Sequence, residues 1–280
     1  MIIWVASYPK SGNTWVRSII SSLIYTEDGI FDFPTIKKID QYPQKRFFEY
    51  FTQDYNNIQE IKKHWITSQE RINLDTKIKF FKTHHLNCKV DDYPFTNKEC
   101  TRATIYIVRD PRNLIDSISN HFGKSVEESK KFLLTSKILS PGKEIEMRGG
   151  NVITYLGSWK EHYKFWTNDN ENLLVIKYED LLKNIHQEID KIIAFIKKFM
   201  NLEVSDTKKE NVIKSTSFEA LKRIEENGKF TENVFVKGTN ESVKFFNKGP
   251  DNIWQNSLPK DIQMELETEL KDELIELGYL

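Results

Sequence analysis

The residues of this sequence that could do chemistry begin in a loop at positions 8–15, which reads YPKSGNTW. The loop follows an apolar segment of strand length and precedes apolar residues at helical spacing. Backbone N–H groups of such a loop and of the helix N-terminus form an anion site, to which Lys10 adds a positive charge. A Walker A loop is excluded, because its lysine follows a glycine whereas Lys10 precedes Gly12. The loop predicts anion binding and disfavours ATP or GTP with magnesium; an ordinary turn with a surface lysine is the alternative.

A lysine and a histidine stand two positions apart in the segment FKTHH at positions 81–85. Residues two apart in an extended chain point to the same side, so Lys82 and His84 would place a positive charge beside a base. His85 is the second candidate for the base. The alternative interpretation of this segment is a solvated loop.

An arginine precedes a predicted helix start in the segment Arg109-Asp110-Pro111. Asp110 fits the N-cap and Pro111 the first helical position, which places Arg109 at the positive end of the helix and Ser117 about two turns in. A guanidinium, a hydroxyl and a helix N-terminus suit a phosphate monoester. The alternative is an arginine that pairs with a neighbouring carboxylate.

These candidate residues all follow short apolar segments that alternate with helical patterns. This alternation predicts an α/β fold with a central parallel sheet flanked by helices, in which ligands bind outside the carboxyl ends of the strands. The predicted strands are residues 2–6, 79–81, 104–108 and 173–176. Further helices are predicted at residues 125–139, 186–200 and 259–277, whereas residues 226–250 form a lid or a loop.

Composition limits the class of protein. The chain has 280 residues, 39% hydrophobic and 12% aromatic, which excludes disorder as its main state and predicts a single domain over residues 1–280. The 41 basic and 41 acidic residues cancel, so no overall charge attracts nucleic acid or an anionic membrane. Two cysteines provide neither a disulfide framework nor a zinc site. The first residues lack a secretory signal pattern, and no apolar run could span a membrane, so we expect a cytoplasmic protein.

Two aromatic patterns are interpreted as packing. Tyr155, Trp159, His162 and Trp166 recur at helical spacing, which predicts one buried helix face with His162 as a structural histidine. The aromatic residues between positions 47 and 55 either cover the core or line an acceptor pocket, and the first role is favoured.

The segments taken together resemble the cytosolic-type sulfotransferases, which use 3′-phosphoadenosine 5′-phosphosulfate (PAPS). The resemblance covers about residues 2–256 and rests on the ordered segments SYPKSGNTW, FKTHH, YIVRDPRNLIDSIS, GSWKEHYKFW, VIKYEDLL, STSFEALK and NKGPDNIW. It implies a P-loop-NTPase-like sulfotransferase fold and transfer of a sulfuryl group from PAPS to an acceptor hydroxyl or amine. The donor already carries the activated group, and its anionic groups are matched by cations and N–H groups, so no metal is expected.

The resemblance also implies roles for individual residues. His84 corresponds to the general base, and Lys10 and Lys82 to cations that stabilise the leaving phosphate. The residues implied in donor binding are Lys10, Ser11, Gly12, Asn13, Thr14 and Trp15 in the phosphosulfate loop, with Trp15 against the adenine; Arg109 and Ser117 at the 3′-phosphate; Tyr178, Thr216, Ser217 and Phe218 around the nucleoside; and Asn247, Lys248 and Gly249 in the closing motif.

Two departures from the family pattern bear on function. Asn247 stands where the family usually has arginine, which removes a bidentate phosphate donor. The dimerisation pattern K-x-x-x-T-V is not visible, so a dimer is not inferred. The acceptor would be a small molecule, a sugar or a lipid, bound by variable segments at about 31–77, 120–155 and 226–246. The alternatives are a P-loop nucleotide kinase or phosphotransferase, and a protein that binds 3′,5′-adenosine bisphosphate (PAP) without catalysis.

Overall fold

The computed structural model describes residues 1–140, 152–230, 232, 234–235 and 242–280. The chain forms two compact units that alternate along the sequence. The first comprises Met1–Tyr8, Ile39–Ile107 and Thr135–Val175, and the second comprises Pro9–Lys38, Val108–Leu134 and Ile176–Leu280. The prediction of one domain over residues 1–280 stays a prediction.

A five-stranded sheet is the centre of the first unit. Its strands are, in spatial order, β2 (Asp40–Gln41), β3 (Lys79–Thr83), β1 (Ile2–Ser7), β6 (Thr101–Val108) and β9 (Leu173–Lys177). The pairs β2–β3, β3–β1 and β1–β6 are parallel. Every residue of the central strand β1 is buried, which explains why its sequence is apolar without alternation. The predicted parallel sheet is confirmed.

The remaining strands of the described chain are short antiparallel pairs. They are β4 (Lys89–Val90) with β5 (Tyr93–Pro94), β7 (Ile138–Leu139) with β8 (Thr154–Tyr155), and β10 (Val234–Phe235) with β11 (Ser242–Val243).

The helices of the first unit are α3 (Ile58–Ile61), α4 (Trp65–Ile72) and α7 (Trp159–Thr167). Ser158 and Glu161 form a capping box that starts α7, and Trp159, His162 and Trp166 are buried on its inner face. The packing role predicted for this face is confirmed, although Tyr155 lies in strand β8 rather than in the helix. From the aromatic run, Phe48 is fully buried beside Tyr42 in a core with Trp4 and Phe95, whereas Tyr50 is exposed.

The second unit, in the residues that the structure describes, is mainly helical and also contains the β10–β11 pair. Its helices are α1 (Asn13–Tyr25), α2 (Phe33–Ile36), α5 (Pro111–Phe122), α6 (Val126–Leu134), α8 (Tyr178–Lys183), α9 (Ile185–Lys197), α10 (Asp206–Ser215), α11 (Phe218–Glu226), α12 (Lys260–Glu269) and α13 (Lys271–Glu276). Phe31, Phe33, Leu221, Phe230 and Phe246 belong to one of its buried clusters.

Two helix predictions differ from the structure. The helix predicted to reach Leu139 ends at Leu134, because Ile138–Leu139 pairs as a strand with Thr154–Tyr155. The helix predicted at 259–277 is interrupted at Leu270, whose φ of −113° lies outside the helical range. The predicted lid at 226–250 and the pocket segment at 120–155 lie partly outside the described residues. No helix in the described part of the chain is long and apolar enough to cross a membrane.

Candidate functional site

The loop of residues 8–15 presents backbone N–H groups at the start of α1. Lys10 and Gly12 have φ values of 70° and 100°, so the chain turns through the left-handed region twice within three residues. Gly12 is required, because a Cβ at this position would lie 2.6 Å from the ring of Tyr178. Among the described residues no side chain caps α1, and its first turn has no acidic residue. This geometry leaves the positive end of α1 available to an anion.

The side chains of this loop add polar groups. The Lys10 Nζ atom lies 3.7 Å from the ring centroid of Phe245, a cation–π contact. Ser11 is fully buried, and within the described residues its hydroxyl has no hydrogen-bond partner. Thr14 donates from Oγ1 to the Glu232 carboxylate at 3.1 Å, and Arg17 pairs with the same carboxylate at 2.8 Å. The loop therefore has a cation, a buried hydroxyl and an acidic neighbour.

Arg109 is buried and has no carboxylate partner among the described residues. Its side chain is only 5% exposed, and one Nη1 atom donates at 3.3 Å both to the Lys10 carbonyl and to the Ser117 hydroxyl. Its Nε has no acceptor, and in the described part of the chain no acidic group pairs with the guanidinium. The alternative interpretation, an arginine neutralised by a neighbouring carboxylate, therefore finds no such carboxylate among the described residues.

Arg112 shows the contrast within the same turn. It is buried to a similar degree, but it pairs with Asp110 at 2.8 Å and with Glu267 at 2.7 Å. It also donates to the Tyr279 carbonyl and stacks on Trp254 at 4.2 Å. Arg112 is therefore a structural ion-pair partner, whereas the guanidinium of Arg109 has only neutral partners among the described residues.

Tyr178 joins the loop to Arg109. The Arg109 guanidinium lies 4.1 Å from its ring centroid, and the Trp15 ring meets it edge-on at 5.5 Å. Burial raises the pKa of Tyr178, so its hydroxyl stays protonated. The structure thus brings together six of the predicted binding positions: Lys10, Gly12, Trp15, Arg109, Ser117 and Tyr178.

The other predicted nucleoside residues lie at the start of α11. The Thr216 hydroxyl donates to the Val212 carbonyl, and Ser217 caps α11 by accepting from the Ala220 amide at 3.2 Å. Phe218 packs directly on Gly249, where a Cβ would lie 2.3 Å from the ring. These contacts stabilise the start of α11 and its packing on Gly249, and they are compatible with a role of these residues in nucleoside binding.

The closing motif is attached to α5 and α11. Lys248 forms an ion pair with Asp116, which directly precedes Ser117. The Glu225 carboxylate accepts the backbone N–H groups of Phe245 and Phe246 at 2.6 and 3.0 Å. Asn247 is exposed. The sequence analysis assigned no role to Glu225 or Asp116: Asp116 lies within the segment YIVRDPRNLIDSIS, but its contact with Lys248, like that of Glu225 with Phe245, joins residues far apart in the chain.

His84 and Lys82 belong to the first unit. His84 follows β3, and its Nδ1 lies 2.7 Å from the Ser7 carbonyl oxygen. A carbonyl can only accept, so Nδ1 carries the proton and Nε2 is the basic nitrogen. Lys82 lies on β3 in register with Val5 of β1, and its side chain is partly exposed. This tautomer is the one that a general base acting through Nε2 requires.

His85 has a different environment from His84. It is fully buried, its ring stacks on Phe95 at 4.1 Å, and its Nδ1 donates to the Leu86 carbonyl at 2.7 Å. Burial lowers its pKa to about 3. A fully buried imidazole with a lowered pKa does not suit the role of a general base that contacts an acceptor.

Comparison with known proteins gives a consistent result. The family model of the sulfotransferase domain matches residues 2–278. Sulfotransferase 1E1 of Rattus norvegicus is 28% identical over 271 residues, covering 94% of this chain and 80% of that protein. The 3-alpha-hydroxysteroid sulfotransferase of Cavia porcellus is 27% identical over 253 residues, covering 89% and 75%. The crystal structure of mouse sulfotransferase SULT7A1 complexed with PAP has the same fold, with a TM-score of 0.60 at 20% identity over 98% of this chain and 84% of that one.

Proposed function

We propose a reaction for this protein from one premise: the chain belongs to the sulfotransferase family. Three predictions from the sequence are confirmed: that the chain belongs to this family, that it has the sulfotransferase fold, and that it is a sulfotransferase. The proposal itself is that the protein transfers the sulfuryl group of PAPS to an acceptor hydroxyl or amine. The observation that carries it is Arg109, a buried guanidinium beside the anion-binding loop with no carboxylate partner in the described chain.

The donor would be held by its anionic groups. The N–H groups at the start of α1 and the Lys10 ammonium suit the 5′-phosphosulfate, while Arg109 and Ser117 suit the 3′-phosphate. Tyr178, Trp15 and Phe218 offer flat surfaces to the nucleoside. The mouse relative was solved with PAP, the nucleotide that remains after transfer. This donor set uses cations and backbone dipoles, so the proposal includes no metal.

The reaction would be an in-line displacement at sulfur. The acceptor oxygen forms a bond to sulfur while the bond between sulfur and the bridging phosphate oxygen breaks. His84 takes the acceptor proton at Nε2, and Lys10 and Lys82 stabilise the negative charge that develops on the leaving oxygen. One relative is named for 3-alpha-hydroxysteroids, which supports a small hydroxyl-bearing acceptor for this chain as well. The expected cytoplasmic location stays a prediction.

Ligand stabilisation tests the donor site. A ligand that binds only the folded state raises the melting temperature, by about 2.7 kcal/mol of stabilisation at a concentration of 100 times Kd. We expect PAP to raise the melting temperature clearly more than ATP with Mg²⁺ at the same concentration. An equal or larger shift with Mg-ATP would favour a nucleotide kinase.

Transfer tests the activity. Labelled sulfate on PAPS, incubated with the protein and an extract of small molecules, should appear in a new product that mass spectrometry identifies. The Arg109→Ala variant, run in parallel at the same PAPS concentration, should give markedly less product. Strong PAP binding without transfer to any acceptor would favour a non-catalytic PAP-binding protein.

A further inference from the structure

Described hydrogen bonds within the first unit hold both the ring and the peptide of His84. Its ring donates from Nδ1 to the Ser7 carbonyl at 2.7 Å, which fixes the tautomer. Its own carbonyl oxygen lies 3.3 Å from Nε2 of His162 in α7. Because that carbonyl can only accept, Nε2 of His162 is the donor. The first bond orients the imidazole, and the second holds the peptide that carries it.

The second bond matters because His84 lies beyond the end of the sheet. The register of β3 with β1 ends at Thr83, which pairs with Ala6. The next amides are held by other groups, since His85 donates to the Thr83 hydroxyl at 3.0 Å and Leu86 donates to the Tyr155 carbonyl at 2.7 Å. The His162 side chain therefore contacts the His84 carbonyl one residue beyond the described register of the strand pair.

His162 is itself oriented by a tyrosine. It is fully buried, and burial lowers its pKa to about 3, so it is neutral at physiological pH. With its proton on Nε2, its Nδ1 accepts from the Tyr106 hydroxyl at 2.9 Å. The Tyr8 ring meets the His162 ring edge-on at 5.7 Å, which limits rotation of the imidazole. Each hydrogen bond from Tyr106 through His162 to His84 has a single possible direction.

We propose that His162, oriented by Tyr106, is a positioning residue that holds the His84 peptide and so aims the base at the acceptor proton. The inference rests on the proposed function, because it assigns His162 no contact with substrate and lets it act only through His84. Proton transfer is sensitive to placement, and an error of about 1 Å costs up to about 100-fold in rate. A buried histidine that served packing alone would affect stability without this dependence on His84.

Two substitutions separate positioning from packing. His162→Leu introduces an apolar side chain of similar volume and removes the hydrogen-bond donor. His162→Gln retains an N–H donor and an acceptor. We expect His162→Leu to lower kcat about 10-fold or more, with the Kd for PAP changed less than about twofold. His162→Gln should recover most of the kcat. Equal kcat values in both variants, with only the melting temperature lowered, would overturn the proposal.

A double-mutant cycle shows whether the effect passes through His84. In a His84→Ala background, His162→Leu should not lower the residual kcat further, because the base that it positions is gone. A full additional 10-fold loss would overturn the proposal. If His84→Ala by itself keeps nearly normal kcat, the assignment of the base fails and the inference fails with it. If only His84→Ala is impaired and His162→Leu is normal, the inference alone fails.

Tyr106→Phe provides a variant with little risk to folding, since it removes one hydroxyl and keeps the ring. Loss of the donor to His162 Nδ1 should lower kcat in the same direction, by about 3- to 10-fold, and leave PAP binding unchanged. If His162→Leu does not fold, the same cycle is run with Tyr106→Phe. An unchanged kcat in Tyr106→Phe together with an impaired His84→Ala would then overturn the proposal.

Discussion

Replacement of Arg109 by alanine tests the proposed 3′-phosphate site directly. Its guanidinium is buried, makes two long bonds of 3.3 Å to the Lys10 carbonyl and the Ser117 hydroxyl, and leaves Nε without an acceptor among the described residues. Both current acceptors are neutral. A phosphate would provide an anionic acceptor that the described residues do not, and it could accept hydrogen bonds from Nε and one Nη atom together.

The expected loss follows from one charge-assisted interaction. A hydrogen bond to a charged group contributes about 1.5–3 kcal/mol, which corresponds to about 10- to 150-fold in Kd. Arg109→Ala should therefore weaken PAP by this factor. Adenosine 5′-monophosphate, which lacks the 3′-phosphate, should bind the variant and the unchanged protein nearly equally.

Arg112→Ala is the matched control, because this arginine is three residues away and equally buried. Its removal leaves Asp110 and Glu267 without their cation, and breaking a buried ion pair costs about 3–5 kcal/mol. Calorimetric titration with the two nucleotides, and melting without nucleotide, measure both effects. Arg112→Ala should lower the melting temperature more than Arg109→Ala and leave the ratio of the two nucleotide affinities unchanged. If Arg109→Ala weakens both nucleotides equally, the placement of the phosphate is wrong.

Other variants and conditions test the remaining parts of the argument. His84→Ala should lower kcat about 100-fold in a steady-state assay while PAP affinity stays nearly constant, and a nearly normal kcat would remove His84 from the mechanism. Asn247→Arg should tighten PAP about 10-fold in titration calorimetry by adding a charge-assisted bond, with no gain for adenosine 5′-monophosphate; equal gains would place the new charge elsewhere. His85 and His162 have pKa values lowered to about 3 in the folded state. As the pH falls below about 6.5, these histidines become protonated in the unfolded chain but stay neutral in the folded one, so the folded state loses stability as the pH decreases. The free energy of unfolding, measured by urea titration, should decrease by about 1.4 kcal/mol per histidine for each unit by which the pH is lowered between about 6.5 and 3. His85→Leu should remove about half of the part of this pH dependence that the two histidines cause. An unchanged slope in that variant would show that His85 is not buried in its neutral form.

Local sequence determined the elements and the candidate residues. The uninterrupted apolar run of residues 2–6 predicts a strand of the parallel sheet, and Asp110 followed by Pro111 predicts the start of α5; both are observed. The loop at 8–15 and the pair Lys82 and His84 could be found because each combines charge, turn residues and an adjacent strand within a few positions. Such signals depend on backbone geometry over one or two turns, which neighbouring residues largely set.

Only the tertiary structure decided how neighbouring side chains of the same type differ. Asp110 lies next to Arg109 and two residues before Arg112, so the sequence does not show which of the two arginines it pairs with; among the described residues it pairs with Arg112, whose second partner Glu267 lies far along the chain. Likewise, His84 and His85 are adjacent, yet one ring donates to Ser7 and the other stacks on Phe95 in the core. Charge state, tautomer and access depend on burial and on partners that are distant in sequence. Residue type and spacing do not reveal these contacts, because the partners are far apart in the sequence and are brought together only by the tertiary fold.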